Sequence, residues 1–189
     1  LGTRHPWSRP GNSCRRLIDT SKLPLKFDLD AQEQVLSVSA WAPLKLINEK
    51  LKAQKLQLPV FHANATSGTM GGIYAQQEAQ LAWPRSALLR DLILGIEAIR
   101  ADGTPFKAGG KVVKNVTGHD ISRFLCGAQG RHALITQIHI RLERRLQHWQ
   151  KSQWHFASRQ ELFAGLSSLR AAGHDPYICQ WDEKDQQLS

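Results

Sequence analysis

The alternation of apolar and polar positions is clearest in the stretch after residue 133. Leu134, Thr136, Ile138, Ile140 and Leu142 fall on one side of a period of two, with Gln137, His139 and Arg141 on the other, which predicts a strand. Residues 35–40 alternate in the same way, Leu36, Val38 and Ala40 against Val35, Ser37 and Ser39, and predict another. Leu44, Ile47 and Leu51 recur at helical spacing behind Pro43, a residue suited to the first helical position, so an amphipathic helix is expected over 43–54. Residues 92–100 are apolar enough for a buried strand, Asp102-Gly103 signals a hairpin, and 104–108 would return along it.

Shorter elements are expected between these. A small-residue loop at 65–72 precedes a short helix over 73–81, and Asp120 can cap a helix carrying Ile121, Phe124 and Leu125. A shift in composition falls at 143–153, followed by a strand reaching Phe156. Ser158 with Glu161 forms a capping box for a helix that turns Leu162, Phe163, Leu166 and Leu169 inward and stops at Gly173. Residues 176–181 read as a final strand. Strands and helices mix with hairpins rather than in strict βαβ alternation, so the class is α+β.

Length and composition narrow the classes. With 189 residues, 41% hydrophobic and 22% charged, the chain can bury a core in one or two domains and is not disordered. The longest apolar stretch, 88–99, is broken by Arg90, Asp91, Gly95 and Glu97, short of the ~18 apolar residues of a membrane helix. No secretory leader is visible, and Leu1 and Ser189 both read as cut ends. Cys14, Cys126 and Cys179 are far apart with no histidine at ligand spacing, so neither a metal site nor a disulfide framework is expected; a reducing, cytosolic setting is the simplest.

A formal charge of +9 admits an anionic partner, whether nucleic acid, a membrane surface, a phosphorylated cofactor or an acidic subunit. The cations are dispersed, with Arg141, Arg144 and Arg145 the densest group, and most read as a solvated face. Six tryptophans do not interleave with Lys or Arg, which favours packing over nucleobase stacking and leaves nucleic acid the weakest class.

Two glycine-rich stretches could carry chemistry. Gly68-Thr69-Met70-Gly71-Gly72 runs into a helix, an arrangement whose backbone N–H groups can approach a phosphate, although a tight turn needing positive φ would leave the same trace. Its spacing is neither that of a dinucleotide fingerprint nor of a P-loop. Residues 109–136 concentrate Gly109, Gly110, Lys111, Lys114, Asn115, Gly118, Asp120, Arg123, Gly127 and Gly130 ahead of a buried strand, which suits either a ligand loop or a surface meander. His119 and His132 have no visible partner and read as surface histidines; no catalytic residue can be named.

Taken together, GGKVVKNVTGHDISRFLCGAQGRHALIT at 109–136, TMGG at 69–72 and PRSALLRDLILG at 84–95 resemble the FAD-linked oxidases of the vanillyl-alcohol oxidase and p-cresol methylhydroxylase (PCMH) type. Within that family the FAD-binding subunits of glycolate oxidases look most similar, over about residues 2–142, with 42–59 and Arg9-Pro10 in support. The resemblance implies a two-lobed α+β FAD-binding domain over 1–144 and the start of a cap domain over 145–189. It implies cofactor contacts from Gly2, Thr3, Arg4, Thr69, Met70, Gly71, Gly72, Lys114, Asn115, Gly118, Asp120, Gly127, Gly130 and Ile135, the last on a strand whose backbone meets the adenine. It implies a 2-hydroxy-acid oxidase passing electrons through flavin, beside a second flavin subunit and an iron–sulfur subunit, peripheral on the inner face of the cytoplasmic membrane.

The chain departs from the pattern where Gln76-Gln77-Glu78-Ala79-Gln80-Leu81 replaces a glycine-rich turn, Trp41-Ala42-Pro43 a glycine before Thr-Pro-Leu, Gly130-Arg131-His132-Ala133 a Gly-Thr-Leu-Gly, and His119 a tyrosine. Side chains at former positive-φ sites are expected to have displaced those loops. A second reading, a homologue serving as a structural subunit without flavin, stays open on these residues alone.

Overall fold

A computed structural model describes residues 19–20, 22–59, 68–77, 88–110, 120–145, 147–148 and 154–174, and the strand backbone at 181–182 and 187–188. Its framework is a five-stranded antiparallel sheet. The strands are β1 (Phe27–Asp30), β2 (Val35–Ser39), β4 (Ile93–Ile99), β5 (Pro105–Gly109) and β6 (Leu134–Arg141), in the order β1-β2-β6-β4-β5. A short strand β3 (Leu56–Gln57) pairs separately with β7 (Glu143–Arg144). The expected α+β class is the one observed.

The most strongly alternating segment, β6, sits at the centre. It sets Ile138 beside Val38 and Ile96, and Ile140 beside Leu36 and Ile93, so one face is a continuous apolar layer. Against that core pack α1 (Leu44–Ala53), through Leu44, Ile47 and Leu51, and α2 (Met70–Gln76), through Met70, Ile73 and Tyr74. Two shorter helices, α3 (Leu89–Leu92) and α4 (Ile121–Leu125), add Leu89, Leu92 and Leu125.

The polar side of β2 is buried too. Ser37, Ser39 and His139 are all nearly inaccessible. Their polar atoms are paired: Ser37 Oγ lies 2.7 Å from His139 Nδ1, and Ser39 Oγ accepts the Lys26 N–H at 2.8 Å. Hydrogen bonding removes most of the cost of burying hydroxyl groups, so the alternation of β2 does not separate inside from outside.

Several boundaries differ from expectation for local reasons. Pro43 is extended and caps α1 from outside, so the helix starts at Leu44. α2 starts at Met70, three residues early, because Thr69 supplies the cap. Ile121 and Phe124 of α4 face solvent, and Leu125 and Ser122 point inward instead. β1 is too short, and too interrupted by aspartates, to show in the pattern.

Beyond Arg145, β8 (Trp154–His155), β9 (Trp181–Asp182) and β10 (Gln187–Leu188) form a second sheet in the order β8-β10-β9. The expected capping box opens α5 (Arg159–Ala171): Ser158 Oγ accepts from the Glu161 N–H, and Glu161 reaches back to the Ala157 N–H at 3.0 Å. Of the four residues expected inward on α5, Leu162 is buried, Leu166 and Leu169 are half-buried and Phe163 is exposed. Gly173 closes the helix at φ +81°. The strand expected over 176–181 lies outside the described residues up to Trp181.

Two of the three glycines in the β4–β5 hairpin, Gly103 and Gly109, differ in necessity. Gly103 sits at φ +86° in the turn with open space around it. Gly109, at φ +73°, pairs with Gly95, and a Cβ there would overlap the Leu94 carbonyl oxygen. Gly103→Ala should therefore cost about 1–2 kcal/mol of backbone strain and Gly109→Ala at least about 3 kcal/mol, read as urea midpoints at constant m. Equal losses would contradict the close approach.

Candidate functional site

The site grows from the way α2 meets the sheet. The Gly71 N–H donates to Ala40 O at 2.7 Å and the Met70 N–H to Ala42 O at 3.0 Å, so the first turn of α2 is docked end-on against the chain leaving β2. A Cβ on Gly71 would stand 2.8 Å from Ala40 O, which leaves only glycine at that position. Thr69 Oγ1 accepts the Gly72 N–H at 3.1 Å. The amides of Met70, Gly71 and Gly72, expected to face a phosphate, are thus all bonded within the protein. The Thr69 hydroxyl accepts in its cap and keeps its proton to donate.

The far end of α2 is held as firmly. Tyr74 is fully buried and its hydroxyl donates to Ser122 O at 2.6 Å, tying α2 to α4. Burial, helped by Cys126 and Asp120, pushes this phenol far above its ordinary range, so it stays a neutral donor. Burial likewise pushes the Cys126 thiol up to about 11, against a smaller opposing pull from Arg90, which makes it an inert core thiol.

Asp120 caps α4. Its carboxylate accepts from Ser122 Oγ at 2.6 Å and from the Arg123 N–H at 3.0 Å, and it pairs with the Arg123 guanidinium at 3.0 Å. Burial raises this carboxyl, but these hydrogen bonds and the arginine outweigh it and hold Asp120 below the usual carboxylate range.

The turn after α4 folds back onto α2. The Gly127 N–H bonds Tyr74 O at 2.9 Å and the Gln129 N–H bonds Ala75 O at 2.8 Å, with Gly127, Gln129 and Gly130 all at positive φ. A Cβ on Gly127 would meet Gln77 Oε1 at 2.9 Å. Gln77 itself caps α2 in the left-handed region, at φ 45° and ψ 46°. Gln77 thus takes a conformation that glycine adopts more readily, at a strain of about 1–2 kcal/mol; the replaced turn beyond it lies outside the described residues.

Between these parts lies a cleft of about 710 Å3. Leu23, Leu25, Trp41, Pro43, Leu46, Leu134 and Ile135 give it apolar walls, and Thr20, Thr69, Gly71 and Gly130 contribute polar or bare backbone surface. Of the residues expected at a cofactor, Thr69, Gly71, Gly130 and Ile135 meet here, from segments 66 positions apart at the extremes, taking 135 minus 69.

The other expected site residues stand elsewhere. Met70 is buried beneath the cleft, Gly72 is in the Thr69 cap, Gly127 packs on Gln77, and Asp120 caps α4. Gly2, Thr3, Arg4, Lys114, Asn115 and Gly118 lie outside the described residues, as does His119. His132 is exposed beside Phe124, ring centres 5.3 Å apart. Sequence reasoning missed Leu23, Leu25 and Leu46, which carry no motif, and met Trp41 only as a departure.

A model of the FAD binding domain matches residues 1–109, more than half of the chain. The chain belongs to this FAD-binding family. It is 30% identical to D-lactate dehydrogenase of Archaeoglobus fulgidus over 67% of its own length and 28% of that protein. It is 32% identical to glycolate oxidase subunit GlcE of Escherichia coli over 60% of its length and 33% of the relative. Among solved structures, alkyldihydroxyacetonephosphate synthase superposes with a TM-score of 0.69 at 14% identity, covering 80% of this chain and 27% of the other. The chain thus spans about a third or less of these relatives.

FAD is the cofactor of this family, and the lining of the cleft is of a kind that would fit one of its flat rings. Apolar walls suit a flat ring, the free proton of Thr69 can reach an oxygen or ring nitrogen, and Gly130 lets backbone approach without a side chain between.

Two outcomes follow. Gln77→Gly should raise stability by about 0.5–1 kcal/mol, strain relief less the extra chain entropy of glycine, as a higher melting temperature. Asp120, with its carboxyl held low, contributes stability that is present above about pH 4 and lost as pH falls through its depressed value. Asp120→Asn should accordingly destabilise at pH 7, by no more than about 1 kcal/mol because the pair is half exposed, and should converge with the parent near pH 2. A gap unchanged at low pH would contradict the cap.

Proposed function

We propose that this chain is the FAD-binding portion of a flavoprotein that oxidises 2-hydroxy acids, as a subunit of a glycolate-oxidase-type complex. The observation that carries this is the convergence of Thr69, Gly71, Gly130 and Ile135 on one apolar cleft within a chain of the FAD-binding family. The relatives' names share one chemistry. D-lactate, glycolate and D-2-hydroxyglutarate are all carboxylates with a hydroxyl on the adjacent carbon.

Bound FAD would supply the redox step. The residues of this chain would hold it: Ile135 and Leu46 against the flat ring, the Thr69 hydroxyl donating, Gly130 giving backbone access. Lys114, Asn115 and Gly2-Thr3-Arg4 remain candidates for the diphosphate, on the family resemblance. The flavin-free structural role is not favoured, because the chain belongs to an FAD-binding family.

The relatives called glycolate oxidase subunits GlcE and GlcD favour a multi-subunit assembly. In it this chain would work beside a second flavin subunit and an iron–sulfur subunit, peripheral on the inner face of the cytoplasmic membrane. The small sheet and α5 beyond Arg145 would begin the cap domain.

The test is spectroscopic. The complex of this chain with its genomic neighbours should carry two flavins, one for each flavin subunit, with absorbance at about 450 nm that bleaches anaerobically on adding glycolate or D-lactate. A colourless complex, or flavin that no 2-hydroxy acid reduces, would contradict the proposal. Ile135→Asp sets a charge in the apolar wall of a half-buried site, and should weaken FAD binding at least about tenfold while the fold survives.

A further inference from the structure

Trp41 has a feature that the fold does not explain. Its ring packs partly against the core and forms part of the cleft wall, yet its Nε1 is buried and finds no hydrogen-bond partner among the described residues. A buried indole N–H without an acceptor is costly, and native structures seldom leave one unmet. A structural role alone would be met as well by phenylalanine, which offers a similar apolar face with no orphaned donor.

We infer that Trp41 is a specificity residue for the nucleotide, its indole N–H donating to a ring nitrogen of adenine in the cleft. Donation requires the indole to turn about χ2, a broad torsion, so that the donor leaves the wall for the ligand. Neighbouring groups leave this role open. Ile135, Pro43 and Leu46 offer no hydrogen bond from their side chains, and the single Thr69 hydroxyl proton can meet only one of adenine's several acceptors. The donor discriminates because adenine presents ring-nitrogen acceptors, and a ligand without one there would leave the N–H unmet. This inference rests on the reading of the cleft as the nucleotide end of an FAD site.

The experiment titrates the 189-residue chain and its Trp41→Phe variant with FAD, ADP and FMN, following calorimetry and the indole N–H resonances of 15N-labelled protein. FAD and ADP should shift one indole resonance, absent from the variant, and FMN should not move it. Trp41→Phe should bind ADP about tenfold more weakly, the effect of one hydrogen bond from a desolvated donor, with an apo melting temperature equal to or above the parent's.

Equal ADP affinity in the two proteins, or a Trp41 resonance that stays fixed while ADP binds, would overturn the inference and leave the flavoprotein reading intact. A shift with FMN would overturn it by moving the donor to the isoalloxazine. No binding of FAD or ADP to the parent chain would overturn both. Should Trp41→Phe fail to fold, Trp41→Tyr assigns the resonance and the parent's shift with ADP decides.

Discussion

The structure depends on one close approach. The first turn of α2 is pressed against the chain leaving β2, with the Gly71 and Met70 amides on the carbonyls of Ala40 and Ala42. No side chain fits at Gly71, so a single missing Cβ sets the distance between helix and sheet. That distance fixes the cleft, because Ala40, Trp41 and Pro43 form one wall and Thr69, Gly71 and Ala75 another. The glycines of this loop serve the packing first, and the ligand through the space the packing leaves.

The rest of the site is positioned from the other end of α2. Tyr74 carries α4 on a 2.6 Å hydrogen bond, and the carbonyls of Tyr74 and Ala75 receive the turn at 127–129. That turn leads into β6, whose first residues close the cleft. A polar network in which each group is satisfied is rigid, and rigidity is what a preformed ligand site requires. The strain at Gln77 is tolerated within it, since the side chain also packs against Gly127.

Much of this was legible in the sequence, for identifiable reasons. β6, α1, the β4–β5 hairpin and the caps at Asp120 and Ser158 follow local rules, and each local rule agrees with the global fold. The family resemblance named Thr69, Gly71, Gly130 and Ile135 among fourteen residues, and these four are the ones that line the cleft. What was not legible depends on long-range contact. Nothing local says that the TMGG amides are consumed by Ala40 and Ala42, or that Phe124 points outward. Nor can composition show that Gln77 keeps a left-handed path, because its tolerance comes from a glycine fifty residues away in sequence, 127 minus 77. The walls made by Leu23, Leu25 and Leu46 carry no signature, since any apolar residue of similar size would serve.

The central claim is that the cleft framed by Trp41, Thr69, Gly71 and Ile135 holds the adenine end of FAD. A crystal structure of the chain grown with FAD tests it most directly. The account predicts planar density between Trp41 and Ile135, with Thr69 Oγ1 within hydrogen-bonding distance and the α2 amides still on Ala40 and Ala42. Adenine density bound anywhere else, with this cleft filled only by solvent, would contradict it.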